Sequence, residues 1–174
     1  MSKNMDIYVE KILSANNSDL RVICFGIGDG QKDVMLLERL LQKVTGRLEY
    51  WIVDISFEMM KAGLNNIKVR LGRNQFDRLD IKYFQMDFMN IDEFFRDVAG
   101  TKQNFYLLLG NTLGNFPENT LLSKIHGIMH KNDFLLIDNQ LKTSTKKLTE
   151  SQKLKLKEIY DAPKYDEYIK AVFQ

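Results

Sequence analysis

The sequence predicts an α/β domain built on a parallel sheet with helices on both faces. Three observations carry this. Apolar runs short enough for strands alternate five times with stretches of helical spacing. Residues 105–109 are an unbroken apolar run, as in a strand buried on both faces. A glycine turn, Gly26, Gly28 and Gly30, joins the first apolar run to the first long helical pattern, where such folds bind ligands. The crossovers between parallel strands are expected to be right-handed.

In chain order, residues 5–13 suit a short helix on the sheet edge, and 16–19 a turn. Strand one is expected at 21–25. The helix at 31–43 carries Val34, Leu37, Leu40, Leu41 and Val44 at helical spacing, and Thr45-Gly46 ends it. Strand two is 48–53, ending in Asp54. Ser56 then caps a helix over 57–71. Strand three is 81–86, ending in Asp87, and a short helix follows at 91–98. After strand four, Pro117 stands at the first position of a helix that reaches His130, with Leu122, Ile125 and Met129 as its apolar stripe. Strand five is 134–137, ending in Asp138. Residues 141–174 read as a helical segment, opened by a Thr149/Gln152 capping box. The whole chain is read as one domain: a lead-in at 1–19, a core at 20–140 and that last segment.

Size and composition support one core: 174 residues, 44% of them hydrophobic. A net charge of +2 gives no basis for nucleic-acid or membrane binding. The single cysteine, Cys24, makes no intrachain disulfide and reads as a small core residue in a reducing compartment. Without a signal-like or membrane-spanning run, a soluble cytoplasmic protein is expected.

The residues of interest lie just after each strand, because parallel sheets bind ligands at the carboxyl ends of their strands. The 26–30 loop lets backbone approach a ligand, and the helix start after it offers free N–H groups to an anion. Gln31 stands where a dinucleotide fingerprint has its last glycine. Asp54 could take ribose hydroxyls, since a carboxylate accepts two hydrogen bonds from a cis-diol; its bland reading is a solvated turn. Asp87 could accept an exocyclic amino group of adenine, with Phe88 beside it; the alternative is a strand-end turn and a core ring. Lys32 opposes the helix dipole, a cost that contact with a ligand carboxylate would offset. The 110–116 stretch holds two glycines, two asparagines and a threonine, more polar groups than a bare connection needs. His126 and His130 are four apart on one helix, and a solvated pair outweighs a metal site because no acid or third ligand accompanies them. The lysines of 142–157 read as a solvated face.

Taken together, the motifs resemble the histidine-specific, S-adenosylmethionine (SAM)-dependent methyltransferases, the family containing the ergothioneine-pathway enzyme that methylates the α-amino group of histidine. Gly110 to Phe116 looks like that family's Gly-Ser/Thr-x-x-Gly-Asn-Phe signature. Gly26 with Lys32 is similar to its pair at the SAM carboxylate. Asp54-Ile55-Ser56 resembles its ribose-binding element, and Met86-Asp87-Phe88 its Gly-Asp-Phe. Asp138 and Tyr160-Asp161 match its strand-five Asp and its Tyr-Asn/Asp element.

The resemblance implies a Rossmann-like class I SAM methyltransferase with strand order 3-2-1-4-5. It implies SAM as cofactor, held by Gly26, Ile27, Gly28, Lys32, Asp54, Ile55, Asp87, Phe88, Gly110, Asn111 and Thr112. Asn115 and Tyr160 would hold the substrate carboxylate, and no catalytic or metal residue is implied. Against that family the chain has a short lead-in and stops within or just after the inserted substrate-binding region. A shortened member is therefore expected, its closing strands and imidazole-reading parts missing. The expected reaction is methyl transfer to an amine of a small molecule or amino acid, histidine-like by resemblance. No membrane or nucleic-acid partner is expected, and a homodimer is left open. The rivals are a non-catalytic SAM-binding or partner-binding module, an NAD-dependent oxidoreductase, and a methyltransferase acting on RNA or protein.

Overall fold

The computed structural model describes residues 5–15, 20–98, 102–110 and 112–138. All fall in one compact unit, Met1–Asn139. The readings made for 16–19, Asn111, Tyr160 and 141–174 lie outside the described residues.

Five strands form one sheet: β1 (Leu20–Phe25), β2 (Leu48–Asp54), β3 (Leu79–Gln85), β4 (Gln103–Leu108) and β5 (Phe134–Ile137). Their order is β3-β2-β1-β4-β5 and every pairing is parallel. The helices are α1 (Met5–Ala15), α2 (Gln31–Lys43), α3 (Phe57–Phe76), α4 (Ile91–Val98) and α5 (Glu118–Ile128). Short 3₁₀ turns occupy Phe88–Asn90 and Thr112–Asn115.

The period-two alternation of strand side chains divides the core into two layers. Val22, Cys24, Tyr50, Ile52, Phe105 and Leu107 face one side and meet the apolar stripes of α1, α2 and α3. Ile23, Phe25, Trp51, Val53, Tyr106 and Leu108 face the other and meet α4 and α5. β1 is buried along its whole length. Each fully buried aliphatic or aromatic side chain contributes about 1.5–3 kcal/mol.

Several boundaries differ from expectation, each for a physical reason. α1 joins α2 over the first face of the sheet rather than an edge, with Arg39–Asp6 and Lys43–Glu10 ion pairs between them. β4 begins at Gln103, because the polar pair Gln103-Asn104 is buried with partners. Gln103 donates to the Asn132 carbonyl at 2.7 Å, and Asn104 N–H donates to Asp133 at 2.7 Å. α3 runs on to Phe76 through Gly72, whose φ of 69° and ψ of 166° break the regular helix where sequence places its end. Pro117 lies at the cap before α5 rather than inside it, and the buried stripe of that helix is Leu121, Ile125 and Ile128. His126 and His130 are both exposed.

The pole of the sheet where the strands begin is held by charge. Arg21, 6% exposed, donates to Glu49 at 2.7 Å and lies 3.9 Å over the Trp51 ring. Lys102 reaches the other Glu49 oxygen at 2.8 Å. Desolvation would raise the Glu49 pKa, but Lys102 and Arg21 outweigh it and hold the carboxyl below its ordinary value.

Candidate cofactor site

The opposite pole, where the strands end, gathers the residues singled out in sequence. Gly26 N–H donates to the Val53 carbonyl at 2.9 Å, so the glycine loop leaves β1 still tied to β2. The loop takes positive φ at Gly26 (76°), Gly28 (52°) and Gly30 (68°). A Cβ on Gly28 would meet nothing within 4 Å, whereas a Cβ on Gly30 would lie 2.6 Å from the Gly63 carbonyl oxygen. The two glycines thus do different things. Gly30 permits close packing of the loop on α3, and Gly28 faces open space.

Asp54 closes the loop from the β2 side. Its carboxylate accepts from Ser56 N–H at 3.0 Å. Partial burial pushes its pKa up, offset in part by backbone N–H groups of Ser56, Ile27 and Ile55. The bond from Ile27 draws the acid onto the glycine loop. Ser56 also caps α3, as expected, by accepting from Met59 N–H at 3.3 Å. Ile55 is 60% exposed beside it.

Asp87 stands next to Asp54 across the sheet, because Met86 N–H donates to the Asp54 carbonyl at 3.1 Å. One Asp87 oxygen accepts from Met89 N–H at 2.9 Å and caps the 3₁₀ turn. That turn drives Phe88 into the core against Phe25 (5.8 Å between ring centroids) and Phe116 (5.3 Å). The Phe88 ring also lies under the loop, 3.5 Å from where a Gly26 Cβ would be.

The β4 side completes the rim. A Gly26 Cβ would also lie 3.0 Å from Thr112 Oγ1, so the loops after β1 and β4 touch. Thr112 Oγ1 donates to the Leu109 carbonyl at 2.7 Å, fixing that turn. Gly110 has φ 74°, and a Cβ there would lie 4.0 Å from Lys32 Nζ. Lys32, at the start of α2, is ion-paired with Asp138. Asn115 is exposed at the end of the 3₁₀ turn, one residue before Phe116.

Sequence reasoning passed over two positions. Gly63 lies on α3 where a Cβ would meet the Gly28 carbonyl oxygen at 2.7 Å and Ile27 at 2.9 Å. A glycine inside a helical stretch was its only signal. Asp33, in the first turn of α2, is 2% exposed and accepts from the Tyr50 hydroxyl at 2.9 Å. Burial raises its pKa to about 6, against bonds from Cys24 and Tyr50 that lower it. The same cluster holds the Cys24 thiol and the Tyr50 hydroxyl well above their ordinary values, burial being the largest cause and Asp33 the next.

A shallow groove between α4 and α5, crossed by the Lys124–Asp92 ion pair (2.7 Å), contains none of the sequence-predicted residues. Among the described residues no cluster of His, Cys, Asp or Glu could hold a metal, and no helix is long and apolar enough to cross a membrane.

A five-stranded parallel sheet in this order, with a glycine loop and two strand-end acids on one rim, defines a class I SAM methyltransferase fold. The family model described as histidine-specific methyltransferase, SAM-dependent, matches residues 5–155, and the chain belongs to that family. Solved structures agree on the fold. The sugar N-methyltransferase KedS8 from Streptoalloteichus sp. ATCC 53650 superposes with a TM-score of 0.54 at 12% identity, over 86% of this chain and 53% of that one. The arsenic(III) SAM methyltransferase CrArsM from Chlamydomonas reinhardtii gives 0.52 at 12% identity, over 89% and 50%. The chain therefore spans about half the length of these two. A search of curated proteins gives no match.

Proposed function

We propose that this chain binds SAM at the glycine-loop rim and transfers its methyl group to an amine of a small molecule or amino acid, with a histidine-like substrate favoured by family membership. The observation that carries the reading is the grouping at one rim. Asp54 and Asp87 end neighbouring strands, tied by the Met86–Asp54 backbone bond, and Asp54 leans on a loop whose Gly28 is open. The residues present fit SAM: Gly26, Ile27, Gly28 and Lys32 for the methionine end, and Asp54 and Ile55 for the ribose. Asp87 and the Phe88 backbone N–H suit the adenine, with Gly110 and Thr112 on the β4 side; Asn111, between them in sequence, is proposed to join them. Asn115 and Tyr160 are proposed to hold a substrate carboxylate. A cytoplasmic setting goes with this reading, supported by the free, buried Cys24 thiol.

SAM supplies a methyl group already activated on a sulfonium. The chain has only to hold an amine lone pair behind that carbon and keep water away, so rate comes from proximity and orientation. A free α-amino group has a pKa of about 7.7–8.0, so a large share is neutral near pH 7.5 without a dedicated base.

Calorimetric titration with SAM, followed by transfer of labelled methyl to histidine and other amino acids, tests both halves. Binding with transfer to an amine supports the reading. Absence of heat and of any thermal shift at millimolar SAM would overturn it. Binding without turnover on any amine would favour a non-catalytic module.

A further inference from the structure

Lys32 and Asp138 come from distant parts of the chain and meet at the rim. Lys32 lies in the first turn of α2, its Nζ 4.0 Å from where a Gly110 Cβ would be. Asp138 follows β5, and its N–H donates to the Leu108 carbonyl at 3.1 Å, which fixes it beside the end of β4. Their side chains are 42% and 32% exposed, so the pair is open to solvent and adds little to stability.

A lysine alone at this place would suit any anion. A carboxylate in contact with it does not: Asp138 cancels the positive field and repels phosphate or a simple acid. A ligand end bearing both charges meets a different balance. Opening one exposed ion pair then allows two new ones, with no net charge gained or lost.

We propose that Lys32 and Asp138 form a clamp for a zwitterion, the amino-acid end of SAM. Lys32 takes the α-carboxylate and Asp138 the α-ammonium. The proposal rests on the reading of this rim as a SAM site and adds Asp138 as a specificity-determining residue. The clamp selects adenosyl ligands with an intact amino-acid end and disfavours phosphate-bearing nucleotides that the glycine loop alone would admit.

The test is calorimetry on the whole chain and its Lys32→Met and Asp138→Asn variants, with melting temperatures measured in parallel. The probes are S-adenosylhomocysteine, 5′-methylthioadenosine (which lacks the amino-acid end) and decarboxylated SAM (which keeps only the ammonium). The unsubstituted chain should bind S-adenosylhomocysteine at least about tenfold tighter than 5′-methylthioadenosine. Each substitution should weaken S-adenosylhomocysteine about tenfold and leave 5′-methylthioadenosine within about twofold. Asp138→Asn, but not Lys32→Met, should weaken decarboxylated SAM. Unchanged or tighter S-adenosylhomocysteine binding by Asp138→Asn overturns the clamp while leaving the SAM site standing. Equal losses for S-adenosylhomocysteine and 5′-methylthioadenosine, with a lower melting temperature, assign the pair to holding β5 against α2 and also overturn it. If the unsubstituted chain binds none of the three, the SAM reading itself fails and the clamp falls with it.

Discussion

Gly63 on α3 lies so close to the glycine loop that a Cβ there would come within 2.7 Å of the Gly28 carbonyl oxygen. The obstacle is backbone, which gives way less readily than a side-chain tip. Gly63→Ala should therefore shift the loop or push α3 outward, at about 1–3 kcal/mol by the usual cost of overpacking. A thermal melt should show a lower midpoint, and calorimetry weaker SAM binding, although Gly63 is proposed to touch no ligand.

Gly28 and Gly30 should separate stability from binding. Gly30→Ala puts a methyl 2.6 Å from the Gly63 carbonyl and 2.9 Å from Ile67 at positive φ, so denaturant unfolding should show a clear loss. Gly28→Ala meets no neighbour, and its left-handed backbone costs only about 1–2 kcal/mol. Its main effect should be on SAM affinity, because the added methyl enters the space where the ligand is proposed to lie. Equal effects of both changes on both measurements would count against that placement.

Asp54→Asn keeps the size of the side chain and removes its charge. Loss of a charge-assisted bond to the ribose should weaken SAM about tenfold to a hundredfold. Burial raises the Asp54 pKa above its ordinary value. Affinity should accordingly fall on acidification at a higher pH than an ordinary aspartate would impose, and the Asn variant should lack that step.

Asp33 makes the opposite kind of prediction, one of stability. Its carboxyl titrates at about 6 when folded and near 3.8 as a free side chain. Below 3.8 it is neutral in both states and burial costs little. Between the two values the unfolded chain sheds its proton while the folded chain keeps it, so stability falls as pH rises; above about 6 the loss is complete. Roughly two units correspond to at most about 3 kcal/mol. Asp33→Asn abolishes this slope. Melting curves from pH 4 to 8 should show the variant gaining on the native chain up to about pH 6 and then holding a constant offset.

Much of this was legible because the signals were local. The buried runs of β1 and β4, the Ser56 cap and the three-glycine turn each state their role within a few residues. Strand order followed from resemblance and is observed. What escaped depends on partners distant in sequence. Gln103 and Asn104 fell outside the expected strand because Asn132 and Asp133, which bond to them, lie in the turn before β5. Asp33 was passed over because Tyr50, its donor, lies on the next strand. The same limit hid Lys32–Asp138 and the contact of Gly63 with the loop.

The Arg21–Glu49–Lys102 cluster lies at the end of the sheet away from the glycine rim. The charges that hold this pole are thus separate from the atoms proposed to choose the ligand. Substitutions among those three charges should change how the protein endures warmth or salt and leave its choice of small molecule untouched.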